Sequence, residues 1–489
     1  MDAKIIAWLC GGMLALAGCA EEATLKKGCW ELSLDQKSGG IDIRKDSLCV
    51  FEDLYAAYKL SDSTITTLDY EDCAVSVEEI TDAFGKGFRY EVSYTDEMLP
   101  ALVQSFYVYP DKDYILTDFT LSSDEEVASN YMAPVNVDQM PQVLAKGKDN
   151  RALFIPFDND CWIRYRSCPL TFDEMTSYEV TAVYNNDNRH ALVVGSVEHD
   201  NWKTAVVMGR GNAHNIGSLK CYGGVADKTT RDSKPHGALR GIAIKSPKVL
   251  LGCFDDWRLG MEEYASANAA VAPPKVWDKA VPFGWNSWGA LQFKLRYPKA
   301  LEVSDYYARH LQPNHFANRD SLVYIGLDSG WNIFSEEELK DFVDRCKANG
   351  QVAGVYWTPF TDWGKNPERK IKELPGCKYK DVYLYANGKP QELDGAYALD
   401  PTHPAVEAMM KKTSELFHRV GFEYVKMDFN RSLHDIYTHT CEYQNQGKIL
   451  YECTLGIYRF MARLLEKQYP NVKLLKAHSG MELFLGGMK

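Results

Sequence analysis

Leu322-Val-Tyr-Ile-Gly-Leu-Asp-Ser-Gly-Trp331 is an apolar run that stops at a carboxylate. Ser335-Glu-Glu-Glu338 follows, a capping box in which Ser335 and Glu338 satisfy each other's open backbone amides. The helix it opens ends at Gly350, a residue suited to the left-handed turn after a helix. Val352-Ala-Gly-Val-Tyr-Trp357 is then a second apolar run. Strands that are apolar on both faces, with a helix between them, belong to a parallel sheet covered by helices.

The same grammar extends in both directions. Upstream, Phe283-Gly-Trp-Asn-Ser-Trp288 is a short strand, and Tyr297 to Leu311 is helical. Downstream, Asp400-Pro401 opens a helix that stops at Gly421. Phe422-Glu-Tyr-Val-Lys-Met427 is the next strand and ends at Asp428. A helix from Tyr451 to Gln468 leads to a last strand, Val472 to Ala477, with His478 at its end. The alternation fits a TIM-type barrel or a doubly wound sheet. Polar and aromatic residues recur at the C-terminal strand ends, the rim where a barrel builds its active site.

Ahead of this unit the pattern is mostly β. Ala101 to Tyr109, Pro110 to Asp113, and Tyr114 to Leu121 read as strand, turn, strand. Tyr178 to Tyr184 and Ala191 to Gly195 repeat the arrangement. Short strands with regular turns predict a β-sandwich over residues 28–269. A helix near 255–270 closes it, and residues 270–280, with Pro273 and Pro274, form the expected linker to a barrel over 281–489.

The N-terminus reads as a leader. Lys4 precedes an apolar stretch from Ile5 to Ala17 that is too short to span a bilayer. Leu16-Ala17-Gly18-Cys19 resembles a bacterial lipobox. Residues 1–18 are then a signal, Cys19 the lipidated residue, and 19–27 a tether. The expected location is the bacterial cell envelope, with contact to the membrane through the lipid anchor alone. A plain secretory signal with an incidental cysteine is the competing reading. The remaining cysteines show no CxxC and no metal-ligand spacing, so no metal or cofactor is expected. The net charge of −12 disfavours nucleic acid, which is held by Lys and Arg on phosphates. Eleven Trp and 29 Tyr suit sugar binding, because a pyranose presents a C–H face to an aromatic ring, though most serve a β core.

Three strand ends carry the chemistry: Trp285-Asn286-Ser287-Trp288, Asp328-Ser329-Gly330-Trp331 and Lys426-Met427-Asp428. Residues i and i+2 of a strand share a face, so Lys426 and Asp428 point together into the barrel mouth. Lys426 is expected to favour the ionised form of Asp428, as a nucleophile needs. A structural ion pair inside the barrel fits the same spacing.

Phe283-Gly-Trp-Asn-Ser-Trp288, Asp328-Ser-Gly-Trp331 and Tyr424-Val-Lys-Met-Asp428, in this order, resemble the α-galactosidase clan of glycoside hydrolases. The sandwich ahead of the barrel, with Phe154-Ile-Pro-Phe-Asp-Asn-Asp160, is similar to the melibiase-like branch. The resemblance implies a (β/α)8 barrel and a retaining mechanism on α-galactosides or related α-pyranosides. In such a mechanism two carboxyl groups lie about 5–5.5 Å apart. It assigns Asp428 as nucleophile, with Lys426 and Asp328 gripping sugar hydroxyls. Trp285, Trp331 and Trp357 become candidate walls of the sugar pocket.

Two departures follow. Ser329 stands where the clan has a second acid, so the sugar preference is open. Residues 281–489 fall short of the about 250 of a complete barrel. Five barrel strands are read, near 283, 322, 352, 422 and 472, so an incomplete barrel is expected, with its general acid absent from the chain. Asp362, Asp394 and Asp435 are the loop acids that could stand in, each more suited to a solvated or capping role. A catalytically impaired carbohydrate-binding lipoprotein is the alternative reading. A nucleotide-binding enzyme is excluded, since no strand leads into a GxGxxG or Walker loop.

Overall fold

The computed structural model describes residues 24–35, 38–144, 149–157, 163–199, 201–212, 214–225, 238–273, 278–386, 389–390, 392–393, 395–400 and 403–429, and the backbone of 473–476. The leader, Cys19, the 451–468 helix, Asp394, Asp435 and His478 lie outside the described residues.

Two antiparallel sheets form the N-terminal sandwich. One has nine strands and begins with Thr24–Lys27, Trp30–Leu34 and Ile41–Lys45. Thr24–Lys27, read from sequence as tether, is therefore its first strand, paired with Trp30–Leu34. The other sheet has ten strands and contains the expected hairpin, Ala101–Val108 against Tyr114–Ser129, with Val108 opposite Ile115. Trp30–Leu34 alternates buried and half-buried positions, the period-2 pattern of a strand with one face on the core. Trp30, Leu32, Phe51, Phe106 and Phe119 are among the side chains filling that core.

The segment expected as one strand from Tyr178 to Tyr184 is broken in two. Glu174–Tyr178 pairs in the nine-stranded sheet, and Val180–Asn185 pairs in the ten-stranded one. Glu179 lies between them at φ 65°, left-handed and buried. Its carboxylate accepts from Thr204 N at 2.8 Å and faces His199 Nδ1 at 2.8 Å. A left-handed non-glycine residue is costly unless its surroundings fix it. Here buried polar partners hold the corner at which the chain changes sheets. The helix Trp257–Val271 then packs on the outer face of Ala191–Ser196 and Val249–Phe254, with Gly260 against Phe254 and Val193.

The second unit is a parallel sheet. Its strands are Gly284–Asn286, Val323–Leu327, Gln351–Trp357, Tyr424–Met427 and Lys473–Lys476. They lie side by side in chain order, each hydrogen-bonded to the next. Sequential order is the arrangement of a (β/α) barrel. A doubly wound sheet reverses direction at a switch point. Val323–Leu327 is buried at every position, as a strand covered on both faces must be.

The intervening helices start and stop mostly where local chemistry dictates. Ser335 and Glu338 form the expected capping box, with Ser335 N donating to Glu338 Oε2 at 2.8 Å and Glu338 N to Ser335 Oγ at 3.2 Å. Gly350 and Gly421 take left-handed φ values of 68° and 97° after their helices. The helix expected from Pro401 begins instead at Pro404 and runs to Val420. His403 is its cap, with Nδ1 accepting from Ala405 N at 3.0 Å.

Burial holds the His403 imidazole below the ordinary histidine pKa, against the opposing pull of Asp400 and Asp381. Below about pH 6.5 the unfolded chain takes up a proton that the folded chain resists. The stabilisation is present above that pH and is lost as the pH falls through the folded value. Protonation of Nδ1 also removes the cap acceptor. Urea midpoints of wild type and His403→Asn, compared from pH 8 to pH 5, should converge on acidification. Parallel pH profiles would reject this role.

Candidate active site at the C-terminal strand ends

Strand register decides which side chains meet. Asn286 lies opposite Gly326, Gly326 opposite Gly354, Gly354 opposite Tyr424, and Tyr356 opposite Lys426. Paired residues of parallel strands share a face, and alternate residues return to it. One face therefore carries Asn286, Gly326, Asp328, Gly354, Tyr356, Tyr424, Lys426 and Asp428. The opposite face carries Trp285, Ile325, Leu327, Ala353, Val355, Trp357, Val425 and Met427. Most of the latter are core side chains packed with Phe342, Val343, Met410 and Phe417 of the helices.

The polar face needs a glycine at position 354. A Cβ on Gly354 would sit 2.2 Å from Tyr424 Cδ1. Tyr324 and Tyr424 meet edge-to-face with centroids 5.5 Å apart, flooring the face below the charged residues.

Asp328 is the organising group. It is 2% exposed. Its Oδ2 accepts from Lys426 Nζ at 2.7 Å and from Asn286 Nδ2 at 2.8 Å. Its Oδ1 accepts from Ser329 N at 2.7 Å, and its own N–H donates to Ser287 Oγ at 2.8 Å. A buried carboxylate persists only when paired and hydrogen-bonded, and these contacts meet that condition. Asn286, the last residue of the first strand, and Ser287 just after it thus fix the carboxylate at the end of the second.

The expectation for Lys426 changes here. Its ammonium is salt-bridged to Asp328, not to Asp428 two residues along its own strand. Chain neighbours on one face are about 6–7 Å apart, whereas groups facing each other across strands can close to hydrogen-bonding distance. Lys426 Nζ also stands 5.2 Å from the centroid of the Tyr356 ring. An ammonium has three protons, so donor capacity remains after the bond to Asp328.

Asp428 follows the fourth strand, half-buried, with its N–H donating to Trp357 O at 2.9 Å. Its Oδ1 accepts from Phe429 N at 2.8 Å, and Phe429 is left-handed at φ 54°. The Tyr356 hydroxyl is pushed well above the ordinary phenol range. Burial is the main cause, followed by the negative charges of Asp428 and Asp328 and a hydrogen-bonding interaction with Asp428. Tyr356 therefore stays a neutral O–H donor beside two carboxylates.

The three tryptophans expected as pocket walls pack against the core of the β/α unit. Trp285 and Trp357 take the helix-facing side by parity. Trp357 meets Phe417 edge-to-face at 5.7 Å and is 9% exposed. Trp331 meets the same Phe417 at 5.4 Å and donates its indole N–H to Tyr356 O at 2.6 Å. Tyr356, one residue before Trp357, is the aromatic that lies level with Lys426 on the charged face. Finding it needs the register that sets Tyr356 opposite Lys426, which neither strand carries by itself. The exposed tryptophans at strand ends are Trp288 and Trp363.

Asp362 is not a solvated loop acid. It is 3% exposed and bonded to Arg369 and to Gly364 N, and Tyr383 O–H donates to its Oδ2 at 2.6 Å. It anchors the long excursion between the third strand and the following helix. Among the described residues no group of three His, Cys, Asp or Glu is placed to hold a metal ion.

Comparison with known proteins agrees with this architecture. The Melibiase family model matches residues 330–488. The α-galactosidase Mel36A of Lactobacillus acidophilus is 21% identical over 256 residues, which cover 47% of this chain and 32% of that enzyme. The aligned part thus spans about a third of the curated relative. In fold, the chain superposes on the GH36 α-galactosidase AgaA of Geobacillus stearothermophilus with a TM-score of 0.60 at 14% identity, covering 93% of this chain and 71% of the other. The α-N-acetylgalactosaminidase NagBb of Bifidobacterium bifidum, in its GalNAc complex, gives 0.53 at 11% identity, covering 93% of this chain and 76% of the other. In fold the chain is like these α-galactosidases: a β-sandwich followed by a parallel β/α unit.

Proposed function

We propose that this chain is a retaining glycoside hydrolase acting on terminal α-galactosyl or closely related α-pyranosyl residues, with Asp428 as its nucleophile. The observation that carries this is the placement of Asp428, Lys426, Tyr356 and Asp328 on one face at the C-terminal ends of adjacent parallel strands. Solved relatives include an AgaA variant in complex with stachyose and another with raffinose. NagBb in complex with GalNAc keeps a related pyranoside in view.

In this reading Asp328 accepts, and Lys426 donates to, hydroxyls of the glycone. Their mutual bond holds both in place before substrate arrives, so little ordering is needed on binding. Asp428 attacks the anomeric carbon, forming a glycosyl ester as the bond to the leaving oxygen breaks. Tyr356 can donate to the non-attacking oxygen of Asp428, aiming the carboxylate. The leaving oxygen takes a proton from a general acid, and water then releases the sugar. Among the described residues on the charged face the other carboxylate is Asp328, which is already committed to Lys426 and Asn286.

An aryl α-galactoside is therefore the proper probe, because a good leaving group needs little acid assistance. A stopped-flow burst of phenolate equal to the enzyme concentration would support Asp428 chemistry. Galactose binding without any burst would replace this reading with that of a carbohydrate-binding protein.

Export and lipid anchoring at Cys19 belong to the same proposal, supported by the lipobox-like Leu16-Ala17-Gly18-Cys19. Cys19→Ala should move the chain from the membrane pellet to the soluble fraction and abolish incorporation of labelled palmitate. Unchanged fractionation would overturn the anchor.

A further inference from the structure

Trp363 and Phe429 form an aromatic pair that the catalytic constellation does not use. Trp363 is 47% exposed, high for a tryptophan, and lies on the loop after the third strand. Its ring meets Phe429 edge-to-face, with centroids 4.9 Å apart and planes at 86°. Phe429 immediately follows Asp428 and donates its N–H to that carboxylate at 2.8 Å.

We infer that Trp363, backed by Phe429, is a stacking platform for the leaving-group sugar of an oligosaccharide, just outside Asp428. The inference rests on the glycosidase reading above. Depth along the strands orders the groups. Lys426 and Asp328 form one layer, Asp428 lies two residues nearer the mouth, and Phe429 and Trp363 lie beyond it. A glycone held on Lys426 and Asp328 has its anomeric carbon at Asp428, so its substituent points outward past Phe429. A T-shaped contact uses one ring's edge and one face of the other, which leaves Trp363 at least one indole face for a pyranose.

The platform is also held in position. Trp363 Nε1 donates to Thr358 Oγ1 at 3.3 Å. The preceding residue, Asp362, is buried and tied to Arg369 and Tyr383. An exposed ring fixed in this way loses little freedom when a ligand stacks on it. A core role does not account for it, since Trp363 is exposed while Trp331 and Trp357 supply the packing on Phe417.

The test uses the full chain carrying Asp428→Asn, which prevents turnover, and calorimetry with galactose and with raffinose. Raffinose should bind more tightly than galactose. Trp363→Ala should weaken raffinose roughly five- to tenfold and leave galactose unchanged, and Trp363→Phe should recover most of the loss. Equal losses for both sugars, or none for raffinose, would overturn the platform while the glycosidase reading stands. A parent protein that binds neither sugar would overturn the glycosidase reading, and the platform with it.

Discussion

Asp428→Ala should eliminate the phenolate burst on an aryl α-galactoside, lowering turnover on the order of 10⁴-fold or more. Galactose affinity should change little. The expectation follows from where Asp428 stands. Its backbone is tied to Trp357 O, and one carboxylate oxygen accepts from Phe429 N, so the side chain is oriented, and among the described residues no cation is paired with it. Lys426, the nearest candidate cation in sequence, pairs with Asp328 instead. On the proposed mechanism the substitution removes the attacking group without stranding a buried charge, and the fold should survive. Loss of turnover with loss of the cooperative unfolding transition would point to a structural role. External azide gives a second readout: a small anion in the space left by the carboxylate should restore some release of the aryl group. Retained turnover in Asp428→Ala would remove Asp428 from the mechanism.

Phe417→Ala should destabilise the catalytic unit by about 3–5 kcal/mol, the usual range for emptying a buried aromatic site. Phe417 is 2% exposed, and its ring meets Trp331, Trp357 and Phe422. These partners come from the loop after the second strand, the end of the third strand, and the entry to the fourth. One helix side chain thus packs beside the strand ends that carry Asp328 and Tyr356 and against the entry to the strand that leads to Asp428. Urea unfolding followed by tryptophan fluorescence should show the shift. Phe417→Leu, which keeps most of the volume, should lose much less. A shift below about 1 kcal/mol for Phe417→Ala would mean that the site collapses around the missing ring. Activity at low temperature should fall more than global unfolding explains, because the Trp331 indole also holds the backbone carbonyl of Tyr356.

Much of the site was legible because its rules are local. The capping box at Ser335, the left-handed glycines at 350 and 421, and the carboxylates closing apolar runs at 328 and 428 all depend on a few neighbouring residues. The misreadings have equally specific causes. Trp357 and Tyr356 are adjacent aromatics, and a strand sends adjacent residues to opposite faces. Choosing the larger ring chose the face that packs on Phe417. Lys426 was assigned to the carboxylate nearest in sequence, but its partner is 98 residues away. Tyr178 to Tyr184 reads as one strand because Glu179 carries no glycine signal for its positive φ, and buried contacts supplied that corner instead. His403 was missed as a cap because imidazole is not among the common capping groups.

The sequence by itself determined that an antiparallel β unit precedes a parallel β/α unit. It also determined that carboxylates, a lysine and aromatics close the parallel strands at one end. Those are consequences of hydrophobic period, turn chemistry and chain direction, which each segment carries within itself. Only the tertiary structure decided that the parallel strands lie in chain order, as in a barrel rather than a doubly wound sheet. It alone decided that Lys426 closes on Asp328 rather than on Asp428. Both depend on which strand hydrogen-bonds to which, and in what register, a pairing between segments tens of residues apart that no single segment encodes.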